Sequence, residues 1–172
     1  MKSITTPISE ETAKSLQVGD IVAISGYIYT GRDAVLPKVV KLFQEGRLGE
    51  KGIDLQGSVI FHTAVSPAGT GPTSSNKLEI EGSIPALSEA GVKVHLGKGE
   101  LKAETVAAMA RCNSLYAVIA PVTALLESKV EKREVVAFPE EGMEALHRIY
   151  VREFPAVIAA AHGKSIYDKE AK

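Results

Sequence analysis

Tryptophan is absent from this 172-residue chain, and aromatic side chains make up only 5% of it. Proteins that grip single-stranded nucleic acid stack bases on aromatic rings, so that platform is missing. An excess of positive charge is missing as well: 20 lysines and arginines face 21 acids, for a net charge of −1. A surface with that balance does not attract a polyanion, which excludes nucleic acid as the expected partner. Cysteine is nearly absent. Cys112 alone forms no internal disulfide and cannot by itself hold zinc or an iron–sulfur cluster. It closes a helical pattern, which predicts a buried or half-buried structural thiol. No apolar run is long enough to span a bilayer, and the segment Met1 to Glu11 is polar and acid-bearing, unlike a secretion signal. These absences predict a soluble, cytoplasmic chain with no membrane partner.

What is present is ordinary globular usage, 45% apolar and 24% charged, sufficient for one domain over 1–172 with its own core. Ser9 caps an expected helix from Glu10 to Leu16, and Ile21–Tyr29 reads as a strand. A helix is expected over Ala34–Glu45 and a strand over Val59–Val65. The segment after Lys77 reads as two helical pieces broken near Gly82 and Pro85. A strand at Val92–Leu96, a helix at Ala103–Arg111 and a buried strand at Leu115–Ala120 follow, then a helical turn at Ala124–Ser128. Three more strands are expected at Glu131–Phe138, Ile149–Glu153 and Ala156–Ala160, with a turn at His162–Ser165. The alternation predicts an α/β layered domain, a mixed sheet with a parallel centre and an antiparallel tail.

The densest chemistry lies in Gly69-Thr70-Gly71-Pro72-Thr73-Ser74-Ser75-Asn76-Lys77. Glycines let backbone approach a ligand, and proline suits the first turn of a helix, whose free N–H groups favour an anion. Thr73 can present a hydroxyl to the same spot, with Lys77 one turn further on. An ordinary capped helix start explains the loop equally well. Two more turns share its context of strand, glycine and helix: Gly31-Arg32-Asp33 and Gly97-Lys98-Gly99. Ligands of open α/β sheets sit outside the carboxyl ends of strands. Arg32, Lys77 and Lys98 on that edge would suit a substrate with two carboxylates, although surface cations are usually only solvated. No Walker-type phosphate loop, nucleophile elbow or metal-spaced histidine set is present. His62 and His95 fall within strand patterns and read as core or edge residues.

Gly31-Arg32-Asp33-Ala34, Ala68-Gly69-Thr70-Gly71-Pro72-Thr73-Ser74-Ser75 and Gly97-Lys98-Gly99, followed by Glu153-Phe154-Pro155-Ala156 and Gly163-Lys164-Ser165-Ile166-Tyr167, occur in one order. The set resembles the β subunit, or carboxy-terminal domain, of iron–sulfur (class I) fumarate hydratases and L(+)-tartrate dehydratases. The resemblance implies a swivelling β/β/α domain acting with a larger α subunit, in an α₂β₂ heterotetramer, and allows a homodimer when the chain is alone. It implies a 4Fe–4S cluster held by the α subunit and not by this chain, which is then inactive by itself. It assigns Arg32 and Lys98 to the substrate carboxylates and Thr73 to the catalytic base. Gly71, Ser74 and Lys77 complete the substrate contacts. Ser74 stands where the family has a second threonine, and Lys77 where it has an arginine, which keeps the charge and loses the fork. The implied activity is malate–fumarate interconversion; tartrate dehydration and a non-catalytic anion-binding domain are the alternatives.

Overall fold

The computed structural model describes residues 1–63, 65–66, 69–70, 77–119 and 129–168. Strand β1 is Lys2–Thr5, followed by helix α1, Glu10–Ser15. Ser9 caps that helix as its sequence predicts: its Oγ accepts the Thr12 backbone N–H at 3.1 Å. Strand β2 is Ile21–Thr30 and helix α2 is Leu36–Gln44. Pro37 lies within the first turn of α2, where its missing N–H is harmless, and Leu36, Val39 and Leu42 form the helix's buried stripe. Strand β3, Val59–Phe61, is shorter than expected. A two-stranded ribbon, β4 (Val65–Ser66) with β5 (Gly69–Thr70), stands between β3 and the next helix. Helix α3 is Lys77–Glu89, β6 is Val94–Gly97, α4 is Ala103–Arg111 and β7 is Leu115–Val118. Strand β8 is Val130–Ala137, β9 is Leu146–Ala161 and β10 is Lys164–Ser165.

Strands β1, β2, β3, β6 and β7 pair in parallel, in that order. Strand β9 then pairs antiparallel with both β7 and β2, so the sheet closes on itself. Strand β8 lies antiparallel on the outer flank of β9. This is the α/β domain with a parallel centre and antiparallel tail that the sequence predicts.

The period-two alternation of the strands sorts two kinds of core. Val59, Phe61, Val94, Leu96, Leu115 and Ala117 point inward and meet β2 and β9 residues such as Ile28 and Phe154. Residues of the opposite parity face the helices: Ile60 meets α2 and α3, and Tyr116 meets Ile84 of α3 and Met109 of α4. No helix among the described residues is long and apolar enough to cross a membrane.

Three expectations change. Helix α3 is continuous across Gly82 and Pro85. Ile84 and Leu87, both fully buried, anchor it in two different core clusters, and that packing outweighs the local breakers. The two tail strands are one, the 16-residue β9. Pro155 is accommodated opposite Ala23, and the irregularity sits at Arg152–Glu153, where Glu153 takes φ 51° and donates its N–H to Ser25 Oγ at 2.9 Å. Strand β1 has too little apolar character to be foreseen; Ile4 is its buried residue. The expected turn at Ala124–Ser128 lies outside the described residues.

Candidate functional site

The Gly31–Arg32 turn is built by close packing. A Cβ at Gly31 would come within 2.9 Å of Leu36 Cδ2 and 3.1 Å of Val35 Cγ1, so a larger residue would have to displace those side chains where α2 starts near the end of β2. Arg32 O accepts the N–H groups of Val35 and Leu36 at 3.1 and 2.8 Å, which fixes the turn into the helix. No side chain caps Val35, and no acid occupies the first turn of α2. The Arg32 side chain is half-buried, with Nε 3.7 Å from Asp33 Oδ1, a long separation for an ion pair.

The Gly97–Gly99 turn is held from the neighbouring strand. Tyr116 Oη donates to Gly99 O at 3.0 Å and would stand 3.2 Å from a Cβ at Gly97. Burial pushes the Tyr116 phenol well above its usual range, so it stays a donor. Gly99 itself has φ +84°, a conformation that favours glycine. Lys98, between the two glycines, is exposed.

Arg32 and Lys98 thus emerge from the carboxyl ends of β2 and β6 on the same edge of the parallel sheet, with β3 between them. Two interstrand steps put their turns about 10 Å apart. Lys77 is the first residue of α3. Gly71, Thr73 and Ser74 lie outside the described residues, so the placement brings together two of the expected substrate contacts.

Other features were not legible in the sequence. Helix α4 has no cap of its own at Lys102. The buried carboxylate of Glu81, from α3, accepts the Lys102 N–H at 3.0 Å and the Thr105 hydroxyl at 2.9 Å. A second feature is a line of buried polar groups: Ser88 Oγ is 3.0 Å from His95 Nε2, and His95 Nδ1 is 3.1 Å from His62 Nε2. Burial drives His62 down to about 4, and burial together with His62 drives His95 well below the ordinary histidine range, so both rings are neutral at pH 7. The only signal for this line was the β-pattern around each histidine; its assembly needed the strand register.

A groove of about 490 Å³ lies elsewhere, lined by Tyr27, Lys132, Arg133, Glu134 and Arg148. Arg148 and Glu134 pair within it: Arg148 Nε donates to Glu134 Oε1 at 2.8 Å and its guanidinium lies 4.7 Å from the Tyr27 ring centre. Cys112 is a half-buried free thiol that burial pushes above its usual range, which is the structural role expected of it.

Residues 2–170 match the family model described as the fumarase C-terminus. The chain belongs to that family. It is 29% identical over 180 residues to a Geobacillus stearothermophilus protein named as a class I fumarate hydratase, covering 96% of this chain and 33% of that protein. It is 30% identical over 178 residues to a Methanocaldococcus jannaschii protein named as an L(+)-tartrate dehydratase subunit beta, covering 94% of this chain and 89% of the relative. The Escherichia coli L(+)-tartrate dehydratase subunit beta is 28% identical over 184 residues, with 99% and 89% covered. The chain therefore spans a third of the fumarate hydratase and most of each beta subunit.

Proposed function

We propose that this chain is the β subunit of a hydro-lyase that interconverts malate and fumarate by reversible hydration. The observation that carries this reading is the shared edge: Arg32 and Lys98 leave neighbouring carboxyl ends, one strand apart, in a chain of the fumarase C-terminus family. Two cations at that separation suit the two carboxylates of a C4 acid. Arg32 offers a planar fork, and Lys98 a point charge. A cation beside the carboxylate next to the reacting carbon stabilises the charge that develops when that carbon loses its proton. Thr73 is assigned the removal of that proton, and Gly71, Ser74 and Lys77 the remaining contacts.

An iron–sulfur cluster does not fit this chain. Cys112 is its single cysteine, and no group of three or more candidate ligands occurs among the described residues. The cluster is assigned to a separate α subunit, in an α₂β₂ assembly, and the chain alone is inactive. A second reading has its own support: the relatives of matching length carry the tartrate dehydratase beta name. Lys77 in place of a forked arginine bears on that choice, because a point charge restrains a substrate's pose less than a bidentate pair.

Co-expression with a cluster-bearing α subunit, anaerobic reconstitution and assay on malate, fumarate and both tartrates test the proposal. Turnover is expected from the pair and not from the isolated chain. Thr73→Ala is expected to leave the chain folded and to lower turnover by roughly 10²–10⁴. Malate dehydration by the isolated, metal-free chain would overturn the half-enzyme reading. A Thr73→Ala complex that keeps its turnover would return the glycine-rich loop to architecture.

A further inference from the structure

Three adjacent strands end level at the carboxyl edge. Thr30 is opposite Phe61 and Phe61 is opposite Leu96, which sets Gly31, His62 and Gly97 in one row. The backbone bonds agree: Gly31 N–H donates to Phe61 O at 3.1 Å, and His62 N–H to Leu96 O at 3.0 Å. His62 therefore occupies the middle place, between the Arg32 turn and the Lys98 turn.

Its ring ends the buried line that starts at Ser88 in the last turn of α3 and passes through His95. Ser88, His95 and His62 are 2%, 0% and 6% exposed, so the line is buried along its length. One atom of it is unmatched: His62 Nδ1 is buried and has no hydrogen-bond partner among the described residues. Thr30 Oγ1, on the next strand at the same edge, is in the same condition. Native structures leave few such atoms, and those they leave call for an explanation. Among the described residues nothing meets Nδ1, and an acid bound between Arg32 and Lys98 would reach the same edge.

We propose that His62 is a substrate-contacting residue whose uncharged ring donates one hydrogen bond, from Nδ1–H, to a carboxylate oxygen of the acid held between Arg32 and Lys98. The proposal rests on the dicarboxylate reading above. Its chemistry follows from the line itself. Two neutral imidazoles and a hydroxyl have two consistent proton arrangements, which run in opposite directions. An anion at the His62 end selects the arrangement with every donor pointing toward it. Ser88 then donates to His95 Nε2, His95 Nδ1–H donates to His62 Nε2, and His62 Nδ1–H is left for the ligand. His95 and Ser88 act as positioning residues that fix this tautomer. Because both rings stay uncharged, the contact adds direction at the site without a third positive charge, and the buried surroundings strengthen it.

The test is a titration of the ¹⁵N-labelled full chain with L-malate, and separately with L(+)-tartrate, following the histidine ring nitrogens and the backbone amides of Gly31 and Lys98. The expected result is that His62 Nδ1 is protonated in the complex and moves with the two amides at one dissociation constant. His62→Gln keeps a polar group at the Nε2 place for His95 and deletes the one at Nδ1. It is expected to weaken binding about ten- to a hundredfold, the size of one hydrogen bond to a charged acceptor. His62→Asn does the reverse and is expected to bind within about threefold of wild type. Amide shifts at Gly31 and Lys98 with an unresponsive His62 Nδ1, and normal binding by His62→Gln, would overturn the inference and leave the dicarboxylate site standing. No response at either amide to either acid would overturn both. The wild-type ring signals decide the question even if a variant fails to fold.

Discussion

The carboxyl edge of the parallel strands and the outer face of β2, β8 and β9 both carry arginine and lysine, and they hold them in opposite ways. On the outer face, Arg148 and Arg152 donate to Glu134 and Glu131 of the next strand, and Arg148 also covers Tyr27. Those cations extend from strand interiors and meet acids at the register positions opposite or diagonal to them. At the carboxyl edge, Arg32 and Lys98 sit in turns that glycines tighten and that backbone and Tyr116 hydrogen bonds fix. Arg32 lies half-buried beside Asp33 at a long 3.7 Å contact, and Lys98 is exposed. Two buried polar atoms on the same edge, Thr30 Oγ1 and His62 Nδ1, have no partner among the described residues. A surface that has already matched its charges has little left for a ligand. An edge that fixes its backbone and leaves His62 Nδ1 and Thr30 Oγ1 without partners among the described residues is suited to receive one.

The sharpest way to break this contrast is to remove one arginine from each region and assay the assembled enzyme. Arg32→Ala is expected to lower kcat/KM about a hundredfold, ~3 kcal/mol of lost carboxylate binding, because a half-buried charged contact with substrate disappears. Unfolding by urea should change little. If Arg32→Ala retains turnover while its stability falls, the edge is architecture and the contrast fails.

A second prediction uses pH and separates the buried line from every exposed charge. His62 is held down to about 4 by burial, against an ordinary histidine value near 6.5. Between those values the unfolded chain binds more protons than the folded one. The contribution is fully present above about pH 6.5 and is lost as pH falls toward 4. Over that window His62 alone removes about 3 kcal/mol, and His95 acts in the same direction. Urea unfolding at stepped pH measures it. His62→Gln should flatten the slope between pH 6.5 and 4; an unchanged slope would show that the rings are not the groups responsible.

How much of this was open to the sequence depends on what each feature needs. Ser9, the acids after it and the stripe of Leu36, Val39 and Leu42 are local signals, and the helices they predict are where they were expected. Glycine beside a cation after a β-rich run placed Arg32 and Lys98 on one edge, because strand direction alone decides where such turns emerge. Long-range facts were not legible. Pro155 looks like a strand end until β2 is seen to carry it, and Pro85 looks like a helix end until Ile84 and Leu87 are seen to be anchored. His62 and His95 are 33 positions apart, and only the β3–β6 register makes them neighbours. Glu81 gives no hint that it caps a different helix.

That cap supplies a third prediction, for a buried acid that is matched in contrast to the unmatched groups at the edge. Glu81→Ala strands the Lys102 N–H and the Thr105 hydroxyl at the start of α4. It is expected to cost about 2 kcal/mol in unfolding, more than an ordinary lost cap because the site is buried. Glu81→Gln, which keeps an acceptor, should cost about half as much. Equal losses from the two variants would mean that packing, and not the hydrogen bonds, fixes the helix start.

The smallest effect belongs to the outer face. Arg148 is 38% exposed and Glu134 51%, so water screens their attraction, and exposed pairs contribute roughly 0–1 kcal/mol. Arg148→Ala also strips the cover from Tyr27, whose ring would still keep its edge contact with Tyr150 at 5.0 Å. The expected outcome is a stability loss of about 0.5–1 kcal/mol that shrinks for Glu134→Ala made on the Arg148→Ala background, as a coupled pair requires. Turnover of the assembled enzyme should stay within about twofold of wild type, because the Arg148 guanidinium is already engaged by Glu134 and Tyr27. A large loss of turnover from Arg148→Ala with an intact fold would transfer the functional role to this face. The matched charges would then have to be read as a site held closed by its own residues, and the contrast between the two regions would reverse.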